Sequence, residues 1–125
     1  MLERILYAED NEDIQQIAVI ALETIGGFTL KVCNDGAEAL AAIEPFSPQL
    51  ILLDVMMPNM DGPKALESMR EMGAFKNTPT IFMTAKVQPE EVNRLLNMGA
   101  VAVINKPFDP MALADRIREI FEQSE

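Results

Sequence analysis

Five polar residues stand just beyond short apolar runs: Glu9 and Asp10 after residues 5–8, Asp54 after residues 50–53, Thr84 after residues 80–83, and Lys106 after residues 101–104. Carboxylates gathered at one edge repel each other, so a hard divalent cation is their natural neutraliser. Oxygen ligands favour magnesium over zinc. The chain has no histidine to ligate zinc. A carboxylate beside such a cation, with an ammonium and a hydroxyl nearby, has what an aspartyl-phosphate requires. It has a nucleophile, charge neutralisation for phosphoryl oxygens, and hydrogen-bond donors. Asp54 is the nucleophile candidate because it alone ends its run, whereas Glu9 and Asp10 form a pair able to hold the metal.

Those residues converge only if the runs are neighbouring strands. Residues 5–8, 28–33, 50–53, 80–83 and 101–104 are rich in β-branched and aromatic side chains and read as buried strands. A helical pattern follows each. The first carries Ile14, Ile17, Ala18, Ala21, Leu22 and Ile25 inward, with Asn11 as N-cap and Gly26 and Gly27 as its stop. The second is capped by Asp35 and buries Ala39, Leu40 and Ile43; the third starts after Asp61 and buries Ala65, Leu66, Met69 and Met72. The fourth enters through Pro89 and buries Val92, Leu95 and Leu96. The fifth begins at Asp109 and Pro110 and turns Leu113, Ile117, Ile120 and Phe121 inward.

Five strand–helix units in alternation predict an α/β fold, a doubly wound five-stranded parallel sheet of order 2-1-3-4-5 with five helices. Strands 1 and 3 are then neighbours, and ligands bind beyond their carboxyl ends. Each polar residue also has a plainer role: Glu9 and Asp10 suit the N-terminus of the first helix, Thr84 a polar strand end, Lys106 a solvated charge. Convergence of four strand ends on the ligand-binding edge favours the chemical reading.

At 125 residues with 49% hydrophobic and 24% charged residues, the chain is predicted to form one domain over residues 1–125. Its net charge of −10 argues against direct binding to nucleic acid. Cys33 is the sole cysteine, so no internal disulfide is possible. It reads as a small buried hydrophobe, and a reducing compartment, the cytoplasm, is the expected location. No apolar run approaches a membrane span, and the first residues lack the order of a signal peptide.

The segments Ile-Leu-Tyr-Ala-Glu9-Asp10-Asn11, Leu-Ile-Leu-Leu-Asp54-Val-Met-Met-Pro58-Asn-Met-Asp61-Gly62, Phe-Met-Thr84-Ala85-Lys86 and Asn-Lys106-Pro107-Phe108 occur in this order. Over its whole length the chain resembles the response-regulator receiver domain of two-component signalling, a flavodoxin-like fold. The resemblance implies that Asp54 is the phosphoacceptor and Glu9 and Asp10 the acidic metal pair. It likewise makes Met56 a metal ligand through its backbone carbonyl, Thr84 the switch hydroxyl and Lys106 the phosphate-contacting lysine. It implies Mg2+ as cofactor, with Mn2+ as a substitute, and a cis bond at Lys106–Pro107. The implied phosphodonor is a histidine kinase or histidine phosphotransfer protein, and a downstream protein target reads the result. Such a domain is no conventional enzyme, catalysing only its own phosphorylation and dephosphorylation. Pro58 and Gly62 are assigned to turn geometry and Asp61 to helix capping.

Three rivals are weighed. A haloacid-dehalogenase-type phosphohydrolase needs a second aspartate two residues after the nucleophile, where Met56 stands. A flavin module needs a phosphate-cradling loop after strand 1, and residues 9–13, Glu-Asp-Asn-Glu-Asp, repel phosphate. A degenerate receiver acting only as a protein–protein module would not retain Glu9, Asp10, Asp54, Thr84 and Lys106 together. The chain departs from the resemblance at Val103, where an aromatic switch residue is usual, and at Val101 and Ala102, where acids often join a dimer network. The expected signal is displacement of Thr84 and residues 85–88 to expose an apolar surface, rather than charge-paired dimerisation through Arg94 or Arg116.

Overall fold

Strand β3, Leu50–Asp54, is buried at all five positions, and its alternation divides the molecule. The computed structural model describes residues 1–125. Leu50 and Leu52 face one helical layer while Ile51 and Leu53 face the other, because successive strand residues point to opposite sides. The first layer is α1 (Glu12–Val19, prolonged by a π-helical turn at Ile20–Ile25) with α5 (Leu113–Ser124). The second is α2 (Gly36–Phe46), α3 (Gly62–Arg70) and α4 (Pro89–Asn97).

The strands β1 (Arg4–Ala8), β2 (Thr29–Cys33), β3, β4 (Thr80–Thr84) and β5 (Ala102–Asn105) pair in parallel in the order β2-β1-β3-β4-β5. The expected fold is therefore observed. Every carboxyl end lies on one edge, and the register sets Ala8 beside Leu53, Asp54 beside Met83 and Thr84 beside Asn105.

Local capping follows the sequence reading. Asn11, Asp35 and Asp61 accept the N–H groups of Ile14, Glu38 and Lys64 at 3.0, 2.8 and 2.9 Å. The differences lie in coverage. Ile17 and Ile25, expected inward, are 45% and 44% exposed. Ile17 flanks the buried line of Ala18, Ala21 and Leu22, and the wider π turn rotates Ile25 off that line. Leu96 is likewise exposed while its neighbour Leu95 is fully buried, because α4 presents only one face to the sheet. Strand β2 starts at Thr29 rather than Phe28, whose N–H instead closes the preceding helix on the Leu22 carbonyl. Regular helix α5 begins at Leu113; Asp109 caps the turn before it, accepting the Met111 N–H at 2.9 Å.

Cys33 is buried, and burial pushes its thiol up to about 11, against a smaller downward pull from Lys31. A two-unit rise leaves about 100-fold less thiolate at pH 8. Alkylation by iodoacetamide at that pH should accordingly be about 100-fold slower in the native protein than in guanidinium. Equal rates would contradict a buried, inert Cys33.

Candidate functional site

Because β1 and β3 are adjacent, the residues that follow Ala8 and Leu53 emerge side by side. One carboxylate oxygen each from Glu9, Asp10 and Asp54 lies within 4.8 Å of the others. Glu9 and Asp54 are buried and Asp10 is exposed, giving a pocket open on one side. Lys106 arrives from beyond β5, its backbone N–H held by the Thr84 carbonyl at 2.9 Å. Its ammonium lies 2.8 Å from Asp54 Oδ1 and 3.0 Å from Glu9 Oε1. The Lys106–Pro107 bond is cis, matching the expectation.

Three carboxylates thus face one ammonium. Burial pushes the Glu9 carboxyl up to about 7, although the Lys106 hydrogen bond opposes the rise. For Lys106, burial acts downward but hydrogen bonds to Asp54 and Glu9 outweigh it, so the ammonium is held above the usual lysine value. The pocket is short of positive charge and offers only hard oxygen donors, a set suited to a divalent cation such as magnesium.

Two further expected residues stand at or just beyond the carboxyl ends of β3 and β4. Thr84 follows Met83, the register partner of Asp54, and its hydroxyl oxygen accepts the Lys86 N–H at 3.0 Å. It makes no hydrogen bond to Asp54 in this conformation. Met56 lies two residues beyond Asp54; the residue is 67% exposed and its carbonyl accepts no backbone hydrogen bond.

The structure adds residues that strand-end reasoning passed over. Asp35, read only as a cap, also accepts the Asn59 side-chain amide at 2.7 Å. That amide, and after it the Glu38 N–H, hold the Asp35 carboxyl below the usual carboxylate range. Gln15 donates to both the Glu9 carbonyl and Asn34 Oδ1, the latter at 2.8 Å. Tyr7 is fully buried, with no hydrogen-bond partner for its hydroxyl. Burial, then the charges of Glu9 and Asp54, push its phenol well above the ordinary value, so it stays neutral. A lone tyrosine inside an apolar strand was its only sequence signal.

Fold and edge together define a doubly wound α/β domain with an acidic, lysine-capped pocket beyond β1 and β3. The family model for the response regulator receiver domain matches residues 5–118, and the chain belongs to that family. It is 34% identical over 125 residues to the DNA-binding response regulator MtrA of Mycolicibacterium smegmatis, covering 100% of this chain and 53% of the relative. With MtrA of Mycobacterium tuberculosis the identity is 36% over 118 residues, 94% of this chain and 50% of the relative. The chain therefore spans about half the length of these curated relatives.

Among solved structures, the chemotaxis response regulator CheY4 of Vibrio cholerae superposes with a TM-score of 0.88 at 28% identity, covering 96% of this chain and 99% of the other. A CheY-like receiver domain protein from Methanospirillum hungatei gives 0.86 at 30% identity, covering 99% and 97%. The chain is thus a receiver domain of two-component response regulators. No helix is long and apolar enough to cross a membrane.

Proposed function

We propose that residues 1–125 act as one phosphoacceptor unit, in which Asp54 takes a phosphoryl group from a phosphohistidine on a kinase or phosphotransfer protein. The observation that carries this reading is the Lys106 ammonium 2.8 Å from Asp54 Oδ1, inside a pocket of three carboxylates. Glu9, Asp10, Asp54 and the Met56 carbonyl would hold magnesium, which when bound neutralises the charge between carboxylates and phosphoryl oxygens.

An Asp54 oxygen attacks phosphorus, and the new O–P bond forms as the P–N bond breaks, its electron pair returning to the imidazole nitrogen. Lys106 then transfers contacts from the carboxylate to a phosphoryl oxygen. Thr84 turns its hydroxyl toward the same group, drawing residues 85–88 with it, since its oxygen now anchors the Lys86 N–H. Half-buried Val103 has no ring to swing inward, while Val87, Leu96 and Val101 are each about two-fifths exposed, at 43%, 39% and 41%. These supply an apolar surface for a downstream protein target, and cytoplasmic operation beside such partners follows from the reading. The domain turns over no external substrate.

Residue roles separate by measurement. Asp10→Ala should weaken Mn2+ binding roughly tenfold or more, because it removes a ligand carboxylate. Lys106→Ala and Thr84→Ala should bind Mn2+ within about twofold of wild type yet lose the change in the 85–88 amide resonances on adding beryllofluoride. Identical Mn2+ titrations of Asp10→Ala and wild type would remove Asp10 from the metal set.

A further inference from the structure

The loop from β3 to α3, residues 55–61, carries the Met56 carbonyl; its own backbone ties it at its two ends and, between them, only through the Met60 N–H on the Pro58 carbonyl at 2.6 Å. The Val55 N–H donates to the Met83 carbonyl at 3.1 Å, and the Gly62 N–H to the Val55 carbonyl at 3.0 Å. Between them, neither Met56 nor Met57 makes a backbone hydrogen bond. Ordering a free residue costs about 1–2 kcal/mol of backbone entropy, so with Met56 and Met57 untied the loop would present its carbonyl poorly to a cation unless other contacts fix it.

Two contacts cross from the β2–α2 loop to hold it. The Gly36 N–H donates to the Met60 carbonyl at 2.9 Å, an approach so close that a Cβ on Gly36 would lie 2.6 Å from that oxygen. The Asn59 amide donates to Asp35 Oδ2 at 2.7 Å. Asn59 sits at φ 63°, a left-handed conformation unfavourable for a residue with a Cβ, and a hydrogen bond to a charged acceptor offsets that cost.

Asp35 is itself held in place. Its Oδ1 caps α2 by accepting the Glu38 N–H at 2.8 Å, and Glu38 accepts the Asn34 N–H at 2.9 Å. Asn34 accepts from Gln15, which also donates to the carbonyl of Glu9. One run of hydrogen bonds therefore leads from the backbone of Glu9, in the acidic cluster, to Asn59 in the loop that follows Asp54.

We propose that the Asp35–Asn59 hydrogen bond is a latch closing this polar frame, holding the Met56 carbonyl in place beside the three carboxylates and thereby setting cation affinity. The proposal rests on reading the pocket as a divalent-cation site. Asp35 and Asn59 are positioning residues, touching neither cation nor phosphoryl group.

Mn2+ binding, followed by the electron paramagnetic resonance of the free ion, tests it on the whole chain without any phosphorylation. Asn59→Gly tolerates the left-handed backbone but lacks the amide; Asp35→Ser keeps a cap for α2 but cannot reach Asn59. Each should bind Mn2+ about tenfold more weakly, and the double variant no more weakly than either single. Asp35→Asn should stay within about twofold of wild type, since a reversed Asn59 amide still finds a partner. A merely structural pair would lower the melting temperature and leave the folded protein's Mn2+ affinity unchanged. Wild-type affinity in both Asn59→Gly and Asp35→Ser, or full additivity in the double, would overturn the latch while leaving the cation site standing. Failure of the wild-type chain to bind Mn2+ would overturn the cation reading itself, and the latch with it.

Discussion

Asp54→Ala is expected to eliminate phosphoryl incorporation from an acyl phosphate or a phosphorylated donor, leaving less than about 1% of the wild-type signal by mass spectrometry. The neighbouring acids cannot substitute. Glu9 is buried with both carboxylate oxygens engaged, Oε1 by the Lys106 ammonium at 3.0 Å and Oε2 by the Asn11 N–H at 3.2 Å, so neither is free to attack. Asp10 is exposed, outside the 2.8–3.0 Å reach of the ammonium. The variant should still fold, because Lys106 retains Glu9 as a partner and no charge is left buried alone. Chelating divalent cations from the wild-type protein should produce the same loss, since three carboxylates and an incoming phosphate face only one ammonium. Phosphate recovered on Asp10, or on a serine or threonine, would refute the assignment of Asp54.

Gly62→Ala should be the most damaging single methyl group in this region, costing about 3 kcal/mol and lowering the melting temperature by about 10 °C. A Cβ there would lie 2.3 Å from the backbone oxygen of Asp54 and 3.1 Å from the Phe82 ring. Backbone at the end of a fully buried strand cannot yield as a flexible side chain would. The first turn of α3 must move or Asp54 must, so phosphoryl incorporation should fall along with stability. Gly73→Ala is the matched control: nothing lies within 4 Å of its Cβ position and its φ is not positive, so its melting temperature should be unchanged or slightly raised. Unfolding of Gly62→Ala at the wild-type temperature would mean that α3 packs less tightly on Asp54 than the structure indicates.

Gly62 also marks where sequence reasoning reached the right residue for the wrong reason. Between Asp61 and Pro63 it reads as turn chemistry, and a turn glycine is recognised by its neighbours in the chain. Its actual constraint comes from the carbonyl of Asp54, brought there by the close packing of α3 across the end of β3. Asp35 is the converse case. Its cap on Glu38 lies three residues away and is legible, whereas its bond to Asn59 spans 24 residues and is not.

What the sequence alone determined is what depends on near neighbours and on repeating pattern. Runs apolar on both faces marked β1, β3 and β4 as buried strands, whereas β2, also expected to be buried, exposes Thr29 and Lys31. Capping residues marked the starts of α1, α2 and α3, and alternation of strand and helix pointed to a doubly wound parallel sheet, for which 2-1-3-4-5 was the expected order. Once strands 1 and 3 were neighbours, Glu9, Asp10 and Asp54 had to meet. Tertiary structure alone decided which flanking positions are covered, leaving Ile17, Ile25 and Leu96 in solvent. It alone seated Lys106 between Glu9 and Asp54, and Asn59 on Asp35. Periodicity specifies the direction of a side chain from its own element, but a contact also requires the distance to a second element. That distance is set by the packing of the whole core, in which residues as far apart in sequence as Glu9 and Lys106 become partners.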